Sequence, residues 1–341
     1  MNKLDFIHIG FGKCMSSRLQ GYWQLDDGYN SMSAEGISNA IDDVIKNSFP
    51  DISAIESQCS NININFPPFS KQHINMMSSE GLTFSFIHNP EFGDAITIKD
   101  ELASKMLAGL TDKIFLLVRN PIDWIRSLHA QQVKEGGLVP MNDFLDSYRS
   151  VILNNLNLSR RVSLWSRFGA EVVILPIELA KRDDGLFWNA FEKRLGVKRP
   201  SNWQGKFDAV SNNTTAYETI EPHRRINELL KLLEGVLERS DLNQKADLLK
   251  FMNATRKVCV RRAFSYTDTE TLGEIFGTLK MTPEESVPDA LVLDADYLSS
   301  INAQFLAPLR TDTCFKEYGV LDEYSLSLEQ HLTDTRVKHC A

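Results

Sequence analysis

Positive charge is the first thing this chain lacks. Its 341 residues hold 37 Lys and Arg against 45 Asp and Glu, a formal charge of −8. A protein that binds nucleic acid or an anionic bilayer through a broad basic face needs the opposite balance, so neither partner is expected. Long apolar runs are absent too: no stretch approaches the roughly 18 residues of a membrane span. The N-terminus has no signal-peptide core, because the run Leu4 to Ile9 is closed at once by Gly10. A cytoplasmic protein without a membrane span is therefore expected. Paired cysteines are missing as well. The 5 cysteines (Cys14, Cys59, Cys259, Cys314, Cys340) are scattered and form no C-x-x-C, which fits neither a disulfide framework nor a zinc site. Reduced thiols and no bound metal are the simplest reading, and no internal repeat or low-complexity tract is visible.

What is present is the balance of an ordinary globular protein, 43% apolar and 24% charged. Leu4 to Ile9 reads as a strand, Gly10-Phe11-Gly12 as a tight loop, and Leu19, Tyr22 and Trp23 recur at helical spacing from Ser16 onward. Further apolar strand candidates are Leu82 to Ile87, Lys113 to Val118 and Glu171 to Pro176, with helical stretches at Asp100 to Leu110 and Tyr148 to Phe168. Short, continuously apolar strands alternating with helices predict an α/β fold: a doubly wound parallel sheet flanked by helices. Beyond about residue 210 the pattern turns helical, at Pro222 to Arg239 and Lys245 to Ala263, with one weak strand candidate at Ala290 to Leu293. The expected organisation is one α/β domain over 1–322, with its core at 4–215 and a mostly helical C-terminal part at 216–322, then a loosely held polar tail at 323–341. Trp23, Tyr22 and Trp124 are read as core.

Two segments carry chemistry. The first is His8-Ile9-Gly10-Phe11-Gly12-Lys13-Cys14-Met15-Ser16-Ser17-Arg18-Leu19, where a strand turns into a helix. Free N–H groups and the helix dipole make such a corner an anion site, to which Lys13 adds a charge and Ser16 and Ser17 add hydroxyl donors. The spacing is not that of a nucleoside-triphosphate loop, which puts Ser or Thr directly after the Lys for magnesium. Cys14 stands there instead. The alternative is a mere packing corner. The second segment is the strand Lys113 to Val118 followed by Arg119-Asn120-Pro121, with Ser127 eight residues past the Arg. A helix starting near Pro121 puts Ser127 almost two turns in, so Arg119 and Ser127 would clamp a second phosphate. The plain alternative is an Arg119–Asp pair, with Ser127 packing.

These segments resemble the donor-binding motifs of the sulfotransferases that use 3′-phosphoadenosine 5′-phosphosulfate (PAPS), particularly the bacterial, carbohydrate-type members. The form I-G-x-x-K-x-G-T-T-x-L matches Ile9 to Leu19 except at Met15, with Ser for Thr. An apolar strand, R-[DN]-P and a Ser eight residues past the Arg match Arg119-Asn120-Pro121 and Ser127 without a gap. Weaker echoes are Trp165 to Gly169, Pro176-Ile177-Glu178-Leu179 and Phe187 to Val197, so the resemblance covers roughly 4–215. It implies a P-loop-like sheet and PAPS as co-substrate, with no metal. It further implies that Gly12, Lys13, Ser16, Ser17 and Arg18 hold the 5′-phosphosulfate and that Arg119 and Ser127 hold the 3′-phosphate. The acceptor would be a hydroxyl or amine of a small molecule or glycan.

His88 is the expected general base, since it would end the strand Leu82 to Ile87 at the edge where both phosphate motifs lie. Glu91, Glu56 and His73 are its rivals. Ser211-Asn212-Asn213-Thr214 resembles an N-x-[ST] element that the bacterial relatives carry after the core, which would close over the nucleotide, with a polar turn before a helix as the alternative. Met15 departs from the family pattern by replacing a Gly, so a different loop conformation or weaker donor binding is expected. Two other readings stay open: a nucleotide-dependent kinase on the same fold class, and a catalytically silent nucleotide-binding homologue. Acceptor identity and oligomeric state have no signature.

Overall fold

A computed structural model describes residues 3–62, 68–84, 86, 89–203, 220–238 and 291–338. The chain divides into two compact units, one holding Met1–Trp124, Tyr148–Asn212 and Leu293–Ala341, the other Ile125–Ser147 and Asn213–Val292.

The first unit is α/β and carries a sheet of five strands: β1 (Phe6–Ile9), β2 (Tyr29–Ser33), β3 (Ile74–Ser79), β4 (Lys113–Val118) and β5 (Glu171–Pro176). Their order is β2-β3-β1-β4-β5 and every pairing is parallel. Helices are α1 (Ser16–Leu25), α2 (Glu35–Ser48), α3 (Ile52–Cys59), α4 (Ala95–Leu107), α5 (Pro121–Lys134), α6 (Met141–Ser147), α7 (Arg149–Asn155), α8 (Leu158–Ser166), α9 (Glu178–Arg182), α10 (Asp184–Leu195), α11 (Ile220–Glu238), α12 (Ala295–Ile301) and α13 (Val320–Lys338). The C-terminal region is thus helical where it is described. Helix α5 begins in the first unit and ends in the second. Among the described residues, no helix is long and apolar enough to cross a membrane.

β1 lies between β3 and β4, pairing with β3 over all four residues and with β4 at Ile7 and His8, and its four residues are all buried. Its Phe6 and His8 join an aromatic cluster: the Phe6 ring lies 5.6 Å from Trp23 of α1, 6.3 Å from Phe115 of β4 and 5.9 Å from Phe191 of α10. Rings of this size remove 150–250 Å² each from water, which makes the cluster a main anchor of the sheet against α1 and α10. Trp23 and Trp124 are fully buried, as expected for core. Helix α10 ends where Gly196 takes a left-handed φ of 69°, and the Lys113 ammonium donates to the Arg194 and Leu195 carbonyls at 3.0 Å.

In the second unit, Asn227 on α11 donates to the Val133 and Gly137 carbonyls, at 2.8 and 3.0 Å, and Arg224 donates to Leu138 O at 3.0 Å. Ala130, Val133 and Ile220 form a small apolar cluster beside them.

Several elements differ from the sequence reading. Among the described residues of the stretch Leu82 to Ile87 the expected strand is absent: β3 ends at Ser79, Glu80–Leu82 is a 3₁₀ turn, and Phe86 has a left-handed φ of 58°. Leu82 and Phe86 are buried without strand pairing, so their apolar character reports burial and no ladder. Strand β2 and the true position of β3 had no apolar run to reveal them. Leu291 to Leu293 form no strand. The stretch from Glu323 starts inside α13, whose Tyr324 and Leu328 are buried. The helix expected at Lys245 to Ala263 and the segment Asn212-Asn213-Thr214 lie outside the described residues.

Candidate functional site

The loop from Gly10 to Met15 leaves the carboxyl end of β1, and Arg119 leaves the carboxyl end of the neighbouring β4. The first corner is shaped by backbone. Lys13 and Met15 both hold left-handed φ angles, 66° and 62°, with Cys14 between them on the ordinary side. Alternating handedness turns successive N–H groups toward one concave face, the form of an anion nest. Met15 adopts the conformation a Gly would take here, at a cost of about 1–2 kcal/mol for a residue with a Cβ.

That strain persists because the loop is held from behind. The Thr83 hydroxyl donates to Gly10 O, and the Trp124 indole donates to Gly12 O at 2.8 Å. A Cβ on Gly12 would fall 2.3 Å from the Phe84 ring, so only Gly fits. Behind Thr83 stands fully buried Arg161, which donates to Thr83 O at 3.0 Å, to Asn155 O at 2.7 Å and to the Asp100 carboxylate at 3.2 Å. Its guanidinium also lies 5.3 Å from the Phe11 ring. Arg160 shares Asp100 at 2.7 Å, so that buried carboxylate is paired twice.

Helix α1 has no local side-chain cap. Its N-terminus is met instead by Glu80, at the end of β3. Burial raises the Glu80 carboxyl above its ordinary value, and the Ser16 hydroxyl, the Lys13 charge and the Ser17 amide and hydroxyl each pull it back down. The groups of the corner thus act in favour of the carboxylate's charge, while its burial acts against it. Ser16 is buried, Ser17 exposed, and Lys13 and Arg18 half-buried.

The second corner is made of side chains. Pro121 opens α5, the Asn120 side-chain Oδ1 accepts from Ile122 N–H at 3.0 Å, and Glu178 accepts from Asn120 N–H at 3.2 Å and from the Tyr324 hydroxyl. Arg119 is nine-tenths buried. Its ion pair with Asp123 is loose, 4.0 Å, while Asp123 also meets Lys181 at 3.5 Å, and among the described residues Arg119 Nε has no hydrogen-bond partner. The plain Arg–Asp pairing is therefore present but leaves the guanidinium partly unspent. Cys14 lies under both corners: burial pushes its thiol well above the ordinary value, Arg119 opposing that shift and Glu178 adding to it.

The remaining expected residues scatter. Ser127 is half-buried on α5, within the second unit. His88 lies outside the described residues, and the described part of 82–87, which was to carry it, forms no strand. Of its rivals, His73 bonds Ser70 at the amino end of β3, the sheet edge opposite the loop. Glu56 is exposed and paired with Lys105 at 3.2 Å, and Glu91 accepts from Asn89 at 3.2 Å. Sequence reasoning missed Glu80, Thr83, Trp124 and Arg161 as parts of this site. Only position after a strand could have signalled Glu80, and β3 itself was misplaced. Among the described residues, no group of three His, Cys, Asp or Glu side chains could hold a metal ion.

Beside the first corner opens a cleft of about 350 Å³ bordered by α1, α2 and the carboxyl ends of β2 and β3. Ser17 and Glu80 form its inner wall, so the anion corner and the cleft are continuous.

Comparison of the chain with protein-family models, with curated proteins and with solved structures finds no match.

Proposed function

We propose that this chain is a PAPS-dependent sulfotransferase. The observation that carries the reading is the pairing of two phosphate-competent corners at adjacent strands: the nest at Gly10–Ser17 with Lys13, and Arg119 with its buried, unpartnered Nε. The strand order supports a P-loop-like, doubly wound sheet. The connection after β1 runs toward β2 and the one after β4 toward β5, so the crevice between β1 and β4 is a topological switch point, where open α/β sheets bind ligands. The two family-like motifs lead into that crevice.

In this reading the α1 amides, Ser16, Ser17 and Arg18 receive the 5′-phosphate, Lys13 faces the bridging oxygen, and Arg119 takes the 3′-phosphate. Sulfuryl transfer breaks the bond between sulfur and the phosphate oxygen and forms one to the acceptor oxygen or nitrogen, so the chief tasks are alignment and charge stabilisation on the departing phosphate. The acceptor proton needs a base. Glu80 suits it: the residue stands between the nest and the cleft, and its raised pKa makes it a better proton acceptor than an ordinary carboxylate. Cys14 in place of a magnesium-binding Ser or Thr disfavours the kinase reading.

The test is calorimetric titration with 3′-phosphoadenosine 5′-phosphate. The wild-type protein is expected to bind. Arg119→Ala is expected to weaken binding by about 1.5–3 kcal/mol, the worth of a hydrogen bond to a charged group, with an unchanged melting temperature because its native ion pair is loose. No wild-type binding would remove the sulfotransferase reading and leave the fold.

A further inference from the structure

We infer that the cleft beside the nest is the acceptor site and that its acceptor is a cationic polyol, of the amino-sugar or aminocyclitol class. The inference rests on the sulfotransferase reading for the word acceptor; the ligand chemistry rests on the cleft alone. Three carboxylates, Glu35, Asp42 and Glu80, face the cleft, and among the described residues that line it there is no Lys, Arg or His. Buried Lys99, behind the wall, pairs with Asp42 at 2.6 Å and so offsets one of the three. Lys13 likewise acts on Glu80, so the excess negative charge falls to Glu35, on a wall otherwise built of hydroxyls and amides, among them Gln20, Ser31 and Asn39. Such a surface pairs with hydroxyl-dense ligands and favours an ammonium over a carboxylate or sulfate.

Geometry narrows the ligand further. The volume suits one or two pyranose rings, at the small end of ligand pockets. Phe84 supplies a ring face at the inner end, held edge-on against Trp124 with centroids 6.2 Å apart, and a pyranose face can lie against it. Deeper polar groups are already committed: Ser78 bonds both His8 at 2.8 Å and Gln20 at 3.0 Å, and Ser38 accepts from Lys99 at 3.0 Å. The floor is thus preorganised and the outer wall remains for a ligand. A hydroxyl or amine seated at the inner end would lie next to Glu80 and Ser17, where the sulfuryl group would be delivered.

The test uses three disaccharides of one shape, titrated into the full chain without nucleotide: the β-1,4-linked disaccharide of glucosamine, cellobiose, and the corresponding uronic acid. Affinity should fall in that order. Glu35→Gln, an exposed change at the start of α2, should weaken the glucosamine disaccharide by about two- to fivefold, the value of one exposed charge pair, and leave cellobiose unchanged. Ser33→Trp, at the exposed end of β2, should abolish binding of all three, with circular dichroism confirming the fold. Equal or tighter binding of the uronic acid, no binding of any disaccharide, or binding indifferent to Ser33→Trp would overturn the inference. Because 3′-phosphoadenosine 5′-phosphate is titrated separately, failure of the donor reading and failure of this one remain distinct.

Discussion

The two corners that follow β1 and β4 sit side by side and are built by opposite means. The first takes its shape from main chain, with left-handed Lys13 and Met15, a Gly12 that has no room for a Cβ, and donors behind it fixing two carbonyls. The second takes its shape from side chains: Asn120 caps, Pro121 starts the helix, and Glu178 receives the Asn120 amide. A main-chain site is vulnerable to whatever lies behind it, whereas a side-chain site loses function at one residue and keeps its fold.

The sharpest way to break this contrast is Arg161→Met. It strands the Thr83 and Asn155 carbonyls and leaves Asp100 with Arg160 alone, so a loss of about 3 kcal/mol in denaturant unfolding is expected, with nucleotide binding lost alongside. Arg119→Ala is the counterpart, losing binding and not stability. If both variants lost stability equally, the contrast would fail.

Glu80→Gln separates binding from turnover. Removing a negative charge from the α1 N-terminus should tighten nucleotide binding by about 1 kcal/mol at neutral pH and abolish transfer, seen as retained affinity with lost kcat. The advantage of the variant should shrink as pH falls, because the wild-type carboxyl, raised above its ordinary value, protonates and becomes neutral itself. An advantage independent of pH would place Glu80 elsewhere than the phosphate site.

His8 and Phe115 face one another in the β1–β4 register, so the first corner rests on a titratable ring where the second rests on an inert one. Burial lowers His8 to about 3. Its unfolded form binds a proton near pH 6.5 while the folded form stays neutral, so His8 favours folding fully above that pH. The contribution is lost below it, by about 1.4 kcal/mol per pH unit down toward 3. Urea unfolding of His8→Gln across this window should show a shallower acid decline than the wild type. The smallest effect is expected for Met15→Gly: relief of left-handed strain is offset by added freedom in the unfolded chain, leaving stability within about 1 kcal/mol in thermal melts.

Strands β1, β4 and β5 were legible because each is a nearly continuous apolar run, as in Ile114 to Val118 and Val172 to Leu175, largely buried by helices on both faces of the sheet. Strands β2 and β3 were not. Tyr29 to Ser33 and Ile74 to Ser79 spend their polar residues on local structure and on the cleft: Asn75 is bonded to Asn30, Ser70 and His73, and Ser31, Ser33, Ser78 and Ser79 line the cleft. Residues that serve a cavity erase the periodicity by which a strand is read. The candidate site divides in the same manner. Lys13 and Arg119 stand in local motifs and were legible, while Glu80, Thr83 and Arg161 reach the loop through the third dimension alone.

The cap that Glu80 lends to α1 has a consequence for the order of folding. Most helices carry their first-turn partner within a few residues and can start to wind unaided. Here the partner arrives from the far end of β3, so the opening turn of α1 is completed only once β3 has docked beside β1. The loop closed by that contact is long, and its entropy must be met before the helix start is secured. The backbone nest thus matures with the assembled sheet, and a chain with a misregistered β3 lacks the finished corner that the proposed nucleotide site requires.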